Sequence, residues 1–596
     1  MTDTIKQLVA GVVASAAFAL APVSDGFARE GREPSGAEFL STDPLAYLEI
    51  PEPNRLLDRL TSDRVQDFLL TIPDYARALD DPRLAEARQV ATFVAGQLGT
   101  TWEDGIRTLI GGGIVLGIEE ADPPRLVLVV TPSDAEFLEK AHATLVSLAR
   151  EDARGKGEPD PIAEFDHRGI AGFSLSDEEA HAIVDGRLIL SNGRAGLTEI
   201  LDRHLDRGDR LTDAPAFAES RPEGDPLAWA FARVDRLREL DPDRFAGDEP
   251  DAGAMLLFGA WLDLIRQTPF ATAALDWADD RLALDLSLDA PESGRSEAMA
   301  RFLPPEGAGA PLPIKVDGLI ATINLWRDQE ALWQVREELL PPEALQNLAQ
   351  LDSFAGTFFG GRDFGDSVLD PLGDHWQLVV ADQDHEAMDP VPGVKLPAFA
   401  LVVELDPDRP EFAQRLRVAF QSFLGLVNLG AAETGAPPLM LGSESYKGQT
   451  ISLATFMPPG PADGDDDQDE PLEVHYRHNF TPSIAELEGR FILSSSVGLT
   501  RSLIDAIEAD PEAETIDATL FMTADGPALA ALVRDNRERL ILQNMLEQGN
   551  DRAAAERDVT VLATLLQYLG QGTMRLVDTP EHSTLSLEFR LGTLDD

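Results

Sequence analysis

The chain has 596 residues, which at ~150 residues per domain implies two to four folded units, and its 43% hydrophobic content supplies real cores. It carries 49 Lys and Arg against 105 Asp and Glu, a formal net charge of -56; binding a phosphate backbone needs clustered cations, so nucleic acid is excluded as a partner and an anionic membrane surface is disfavoured. There is no cysteine, which removes disulfides, thiolate catalysis, Cys-ligated zinc and iron–sulfur clusters.

The N-terminus reads as an address. A short polar start containing Lys6 leads into an apolar stretch from Leu8 to Leu20, with small residues at Gly26 and Ala28 before Arg29-Glu30. That pattern predicts a signal peptide over residues 1–28, because the apolar run is too short to cross a bilayer and the small residues suit cleavage after Ala28. No later run reaches the ~18 apolar residues of a spanning helix, so no transmembrane segment is expected in the mature chain.

Beyond it, the same succession of elements occurs twice. A strand with Asp43 to Ile50 has its counterpart at Asp317 to Asn324. Strands at Ile114–Ile118 and Leu126–Val130 match Trp376–Val380 and Phe399–Val403. A helix then starts behind an expected capping box, Ser133 with Glu136 in the first copy and Asp408 with Glu411 in the second. Its apolar face is Phe137, Leu138, Ala141, Leu145 and Leu148, or Phe412, Leu416, Ala419, Phe420 and Phe423. Next come a three-residue turn, His167-Arg168-Gly169 or Tyr446-Lys447-Gly448, and a tighter one, Asp185-Gly186 or Glu488-Gly489, before an apolar strand. Glycine supplies the left-handed residue such turns need. A helix closes each block, Leu197–Leu205 and Leu499–Ile507, followed by late strands at Leu227–Phe231 and Leu282–Leu288 or Ala518–Met522 and Leu585–Phe589.

The offset between copies is 279 at Gly169 and Gly448 but 303 at Gly186 and Gly489, which places one insertion in the second copy, at residues 458–480. The expected organisation is therefore a first module over 39–292, a Gly/Pro/Ala-rich linker over 304–313, and a second module over 314–593. The predicted fold class is α+β: two homologous modules, each an antiparallel or mixed sheet flanked by helices.

With Asp43 and Asp317, Arg168-Gly169 and Lys447-Gly448, and Asp185-Gly186 and Glu488-Gly489 in these places, the chain resembles a group of exported bacterial proteins that share a domain of unknown function. The resemblance implies export and a mixed α+β fold, and it implies no activity.

Catalytic signatures are missing from the sequence: no G-x-S-x-G, no H-E-x-x-H, no G-x-x-x-x-G-K-[ST]. Gly111-Gly112-Gly113 follows a helical pattern and opens a strand, the reverse of a dinucleotide fingerprint, and reads as a helix stop. His167 has Tyr446 at its counterpart position, so imidazole chemistry is not required there, and His181 and His204 have no partner at metal-ligand spacing. The local cluster of note lies in the insertion, where Asp463, Asp465, Asp467 and Asp469 alternate and His475 and His478 follow. Oxygen-rich loops of this kind hold Ca²⁺, although the EF-hand positions fail at Gln468 and Val474, and the histidines suit Zn²⁺ better. The alternative for this stretch is a solvated acidic loop.

No cofactor is therefore expected, with Ca²⁺ at the acidic insertion as the exception to test. The leading reading is a non-catalytic periplasmic or extracellular binding or scaffold protein whose partner is a protein or a cationic ligand. Two alternatives stay open: a hydrolase with a carboxylate- or metal-based site between the modules, and a Ca²⁺-binding envelope protein.

Overall fold

The computed structural model describes residues 36–592 except 73–74, 76, 78, 80–81, 223, 243–251, 292, 341, 360–362, 435–437, 457–475 and 513. The expected signal peptide and most of the acidic insertion lie outside the described residues. Four two-residue loops set the strand pairing: Arg168-Gly169, Asp185-Gly186, Lys447-Gly448 and Glu488-Gly489 all hold both residues at positive φ, between 47° and 92°. This is the type I′ turn, whose twist matches that of the flanking strands. Glycine takes the second position freely, while the residue before it accepts a left-handed conformation at a cost of about 1 kcal/mol. The register pairs His167 with Ile170 and Tyr446 with Gln449, so the expected three-residue loops are two residues long, and His167 and Tyr446 are the last residues of their strands.

Among the described residues, those before 246 together with Thr268–Asp289 form one compact unit, and Ala252–Gln267 with the chain from Ala290 onward forms a second. The helix Ala252–Gln267 thus contributes to the second core: Met255 and Ala260 pack with Met299, Phe302 and Leu332. Arg327, 1% exposed, donates to the carbonyls of Phe302 and Leu257 within it. The Gly/Pro/Ala-rich stretch also belongs to this unit, since the Ala310 N–H donates to Ala518 O and Leu312 N–H to Glu514 O.

The first unit contains β1 (Ala46–Ile50), β2 (Gly113–Glu119), β3 (Arg125–Thr131), β4 (Ala163–His167), β5 (Ile170–Ser176), β6 (Glu179–Val184), β7 (Arg187–Ser191), β8 (Ala228–Ala232), β9 (Ala271–Trp277) and β10 (Arg281–Asp289). Every pairing is antiparallel, in the order β4-β5-β6-β7-β3-β2-β1-β8-β9-β10. Side chains alternate across β3: Val127 and Val129 meet Leu197, Ile200 and Leu201 of the helix Arg194–Asp206, while Leu128 and Val130 face Leu56 and Ile110. Helices therefore cover both faces, which is why the strand reads as a continuous apolar run.

The second unit contains β11 (Leu319–Trp326), β12 (Leu372–Ala381), β13 (Ala398–Leu405), β14 (Leu439–Tyr446), β15 (Gln449–Phe456), β16 (Ser483–Leu487), β17 (Arg490–Ser494), β18 (Leu520–Asp525), β19 (Gln571–Asp578) and β20 (His582–Arg590). Its order is β14-β15-β16-β17-β13-β12-β11-β18-β19-β20, again wholly antiparallel. Ala400, Val402 and Ile492 pack on Leu499, Leu503 and Ile504 of the helix Val497–Ala509. Val403, Ile484 and Phe491 pack on Phe412 and Ala413 of the helix Phe412–Thr434 on the opposite face. The fold is α+β.

Both expected capping boxes are corrected. Asp134, not Ser133, caps the helix Ala135–Lys156, its Oδ1 accepting the N–H groups of Glu136 (2.9 Å) and Phe137 (3.1 Å). Ser133 instead donates its hydroxyl to Thr108 O. In the second unit the helix opens at Phe412, beyond the expected box, and the Asp408 N–H donates to Asp406 Oδ1. The Gly111 turn agrees with expectation: it ends the helix Trp102–Ile110 just before β2.

Candidate functional site

The two turns of the aromatic-or-His/basic/Gly type share one use. In the first unit His167 Nε2 lies 2.8 Å from Asp202 Oδ1, and Arg168 bridges Asp202 (2.8 Å) and Asp206 (2.6 Å) on the helix Arg194–Asp206. In the second, the Tyr446 hydroxyl donates to Asp505 Oδ2 (2.9 Å) while Lys447 Nζ reaches Asp505 Oδ1 (2.6 Å) and Glu508 (3.5 Å) on the helix Val497–Ala509. The Arg168 and His167 contacts hold the Asp202 carboxyl below its ordinary range, and Lys447 and Tyr446 do the same to Asp505. The motif fastens a hairpin tip onto a helix, with its charges spent on one another.

Beside the first clamp lies a hollow of about 380 Å³ lined by Gly169, Phe173, Ile183, Asp185, His204 and Leu205 among others. His204 stacks on Phe39 at 4.8 Å and places Nε2 3.1 Å from Asp185 Oδ2. Its Nδ1 has no hydrogen-bond partner among the described residues.

Two further polar groups arise from tertiary contact. His142 Nε2 and His181 Nε2 are 3.0 Å apart, and His181 Nδ1 lies 2.5 Å from Glu179 Oε1. Burial, and then the neighbouring His181, push His142 down to about 4, so its ring is neutral at pH 7. In the second unit His375 Nδ1 lies 2.8 Å from Glu404 Oε2, a contact that raises His375 and lowers Glu404. Burial, then Asp328, raise the adjacent Asp374.

Of the sequence-predicted metal candidates, Asp463, Asp465, Asp467, Asp469 and His475 lie outside the described residues. His478 Nε2 accepts a long hydrogen bond from Arg477 Nε, 3.4 Å. Among the described residues there is no group of three or more His, Asp and Glu poised to hold a metal ion, and no helix is long and apolar enough to cross a membrane. The His181 partner that sequence spacing does not reveal is His142, 39 positions earlier and on another element.

One surface is set apart by what it lacks. From Val418 to Ala432 the helix Phe412–Thr434 carries no charged residue, although 26% of the chain is charged. From Gln421 to Ala432, Leu424, Asn428 and Ala431 turn toward the protein, whereas Phe423 is 46%, Leu426 46% and Leu429 61% exposed. The neighbouring β14, outermost in its sheet, exposes Met440 and Leu441. Isolated exposed apolar residues are ordinary, but a continuous uncharged apolar surface stands out on so acidic a chain.

No family model matches the chain, and no curated protein matches it. Among solved structures it is similar to crystal forms I, III and IV of TP0453, at 12%, 11% and 14% identity and TM-scores of 0.24, 0.24 and 0.22. The matches cover 44%, 46% and 46% of this chain and 84%, 88% and 92% of those chains.

Proposed function

We propose that the chain is an exported, non-catalytic binding or scaffold protein, periplasmic or extracellular, built from one α+β module used twice. Support for the duplication is the common strand order of the two units, the four type I′ turns at corresponding places, and a turn-to-helix clamp on Asp202 in one unit and Asp505 in the other. Support for export is the Leu8–Leu20 apolar stretch followed by Gly26 and Ala28. The observation that carries the binding reading is the uncharged, solvent-facing surface of the helix Phe412–Thr434 on a chain of net charge -56. The test is cross-linking capture of the full chain from its native envelope fraction, with N-terminal sequencing of the recovered protein. A mature N-terminus at Arg29 and a stoichiometric partner are expected. Retention of Met1 in the cytoplasmic fraction, or recovery without any partner, overturns the reading.

A further inference from the structure

The strand β14 offers more than an apolar surface. In the β14–β15 hairpin the residues next to the turn, Tyr446 and Gln449, form a hydrogen-bonded pair, so Glu444, Gly442 and Met440 also bond to β15. The N–H and C=O groups of Leu439, Leu441, Ser443 and Ser445 then point away from the sheet. Leu439 is satisfied there: Asn428 of the overlying helix donates Nδ2 to Leu439 O (2.8 Å) and accepts the Leu439 N–H (2.7 Å). Among the described residues no strand pairs with Leu441, Ser443 and Ser445 on that side.

The helix above this open edge leaves room. Gly425 has no heavy atom within 4 Å of where a Cβ would stand, its own helix backbone aside, and Gly425, Leu429 and Ala432 lie on the flank next to Asn428 by helical spacing. The corresponding edge of the first unit is guarded. There β4 carries Glu164 and Asp166, and Arg150 of the helix Ala135–Lys156 is bonded to Glu164 and Asp160. Charge on an edge strand is the usual defence against strand addition. The second unit lacks it, since Glu444 turns to the other face and is held bidentate by Arg501 (2.7 and 2.6 Å).

We propose that β14 accepts an extended peptide segment of a partner protein by strand addition, main chain to Leu441, Ser443 and Ser445, with apolar side chains under Gly425, Leu429 and Ala432. This rests on the binding reading above and names its partner's chemistry. The edge carries no charge of its own, so contact is apolar and main-chain, while the field of a chain of net charge -56 selects a segment flanked by Lys or Arg.

The experiment titrates the full chain with a short synthetic peptide of alternating valine and threonine ending in lysines, and with its glutamate-ended twin. Ser443→Pro removes a donor that only an added strand would use, at an edge that tolerates proline; Leu429→Lys places a charge under the helix. Circular dichroism and melting confirm that both variants fold. The lysine-ended peptide should bind, its twin at least about tenfold more weakly, and both variants should lose at least about tenfold. Equal binding by Ser443→Pro, equal binding of the two peptides, or no binding overturns the proposal. So does concentration-dependent self-association, or retention on neutral phosphatidylcholine vesicles, that Leu429→Lys abolishes: the occupant is then a second copy or lipid. If envelope capture yields a partner unaffected by both variants, the binding reading stands and this edge is not its site.

Discussion

Glu119 ends β2 and is 2% exposed. Its carboxylate accepts the Ser41 N–H (2.6 Å), Arg125 Nη1 (2.7 Å) and both Nη atoms of Arg203 (2.8 and 3.2 Å). Arg203 in turn donates to Phe39 O, so this one carboxylate ties the buried Phe39–Leu40 segment to the sheet and to the helix Arg194–Asp206. Replacing it by glutamine turns one acceptor oxygen into a donor and leaves two guanidiniums facing each other. Removing one partner of a buried pair costs about 3 to 5 kcal/mol, and because Arg125 and Arg203 keep 13% and 14% of their side chains in solvent, the lower figure applies. At about 2–4 °C per kcal/mol for a unit of this size, Glu119→Gln should lower its melting temperature by about 6–12 °C. Hydrogen exchange should report the loss first over residues 36–50 and 113–131. Burial raises the Glu119 carboxyl, but Arg203, the Ser41 amide and Arg125 outweigh it and hold it below its ordinary value of 4.5. Its contribution is therefore present above pH 4.5 and fades as pH falls through the lower folded value, so wild type and variant converge in acid. A difference under about 0.5 kcal/mol at pH 7, or one that does not narrow in acid, would refute the reasoning.

Four other outcomes follow from the same geometry. His142 should titrate by NMR near pH 4 and rise in His181→Gln while staying below 6.5, since burial is the larger cause; stability should fall between pH 6.5 and 4, where the unfolded chain takes up the proton and the folded chain does not. Gly489→Ala, at φ 71°, should cost about 1 kcal/mol in denaturant melts, the strain of a left-handed alanine. Leu503→Ala, fully buried among Ala400, Val402 and Ile492, should cost about 2–5 kcal/mol. Asp505→Asn should lower the melting temperature at low salt by an amount that disappears at high salt, because the Lys447 pair is solvent-exposed.

The parts of this structure legible in the sequence are those governed by local conformation. A basic or acidic residue followed by glycine between apolar runs demands a tight turn, and all four predicted sites are type I′ turns. Unbroken apolar runs located the paired strands at Leu126–Val130 and Phe399–Val403. The strands β6, β9, β14, β16 and β19 escape such a reading because they are short, small-residue-rich or polar, as in Leu439–Tyr446 with its Gly442 and serines. Their strand character comes from neighbours that complete the ladder. The caps failed by one residue in one case and by the start of the helix in the other, which is where several polar side chains compete for the same orphan amides.

Sequence by itself determined the absence of thiol chemistry, the α+β class and the places where the chain must turn, because these depend on composition and on the φ, ψ preferences of a few residues. Only the tertiary structure decided which charges meet. Arg168 finds Asp202 and Asp206, His142 finds His181, and Glu119 gathers Ser41, Arg125 and Arg203 across 78 and 84 positions of chain. With 105 carboxylates available, sequence spacing cannot select such partners, since a Coulombic contact depends on separation in space and on burial. The same holds for β14: its residues are ordinary, and it becomes an open edge because the sheet order leaves no strand beside it among the described residues.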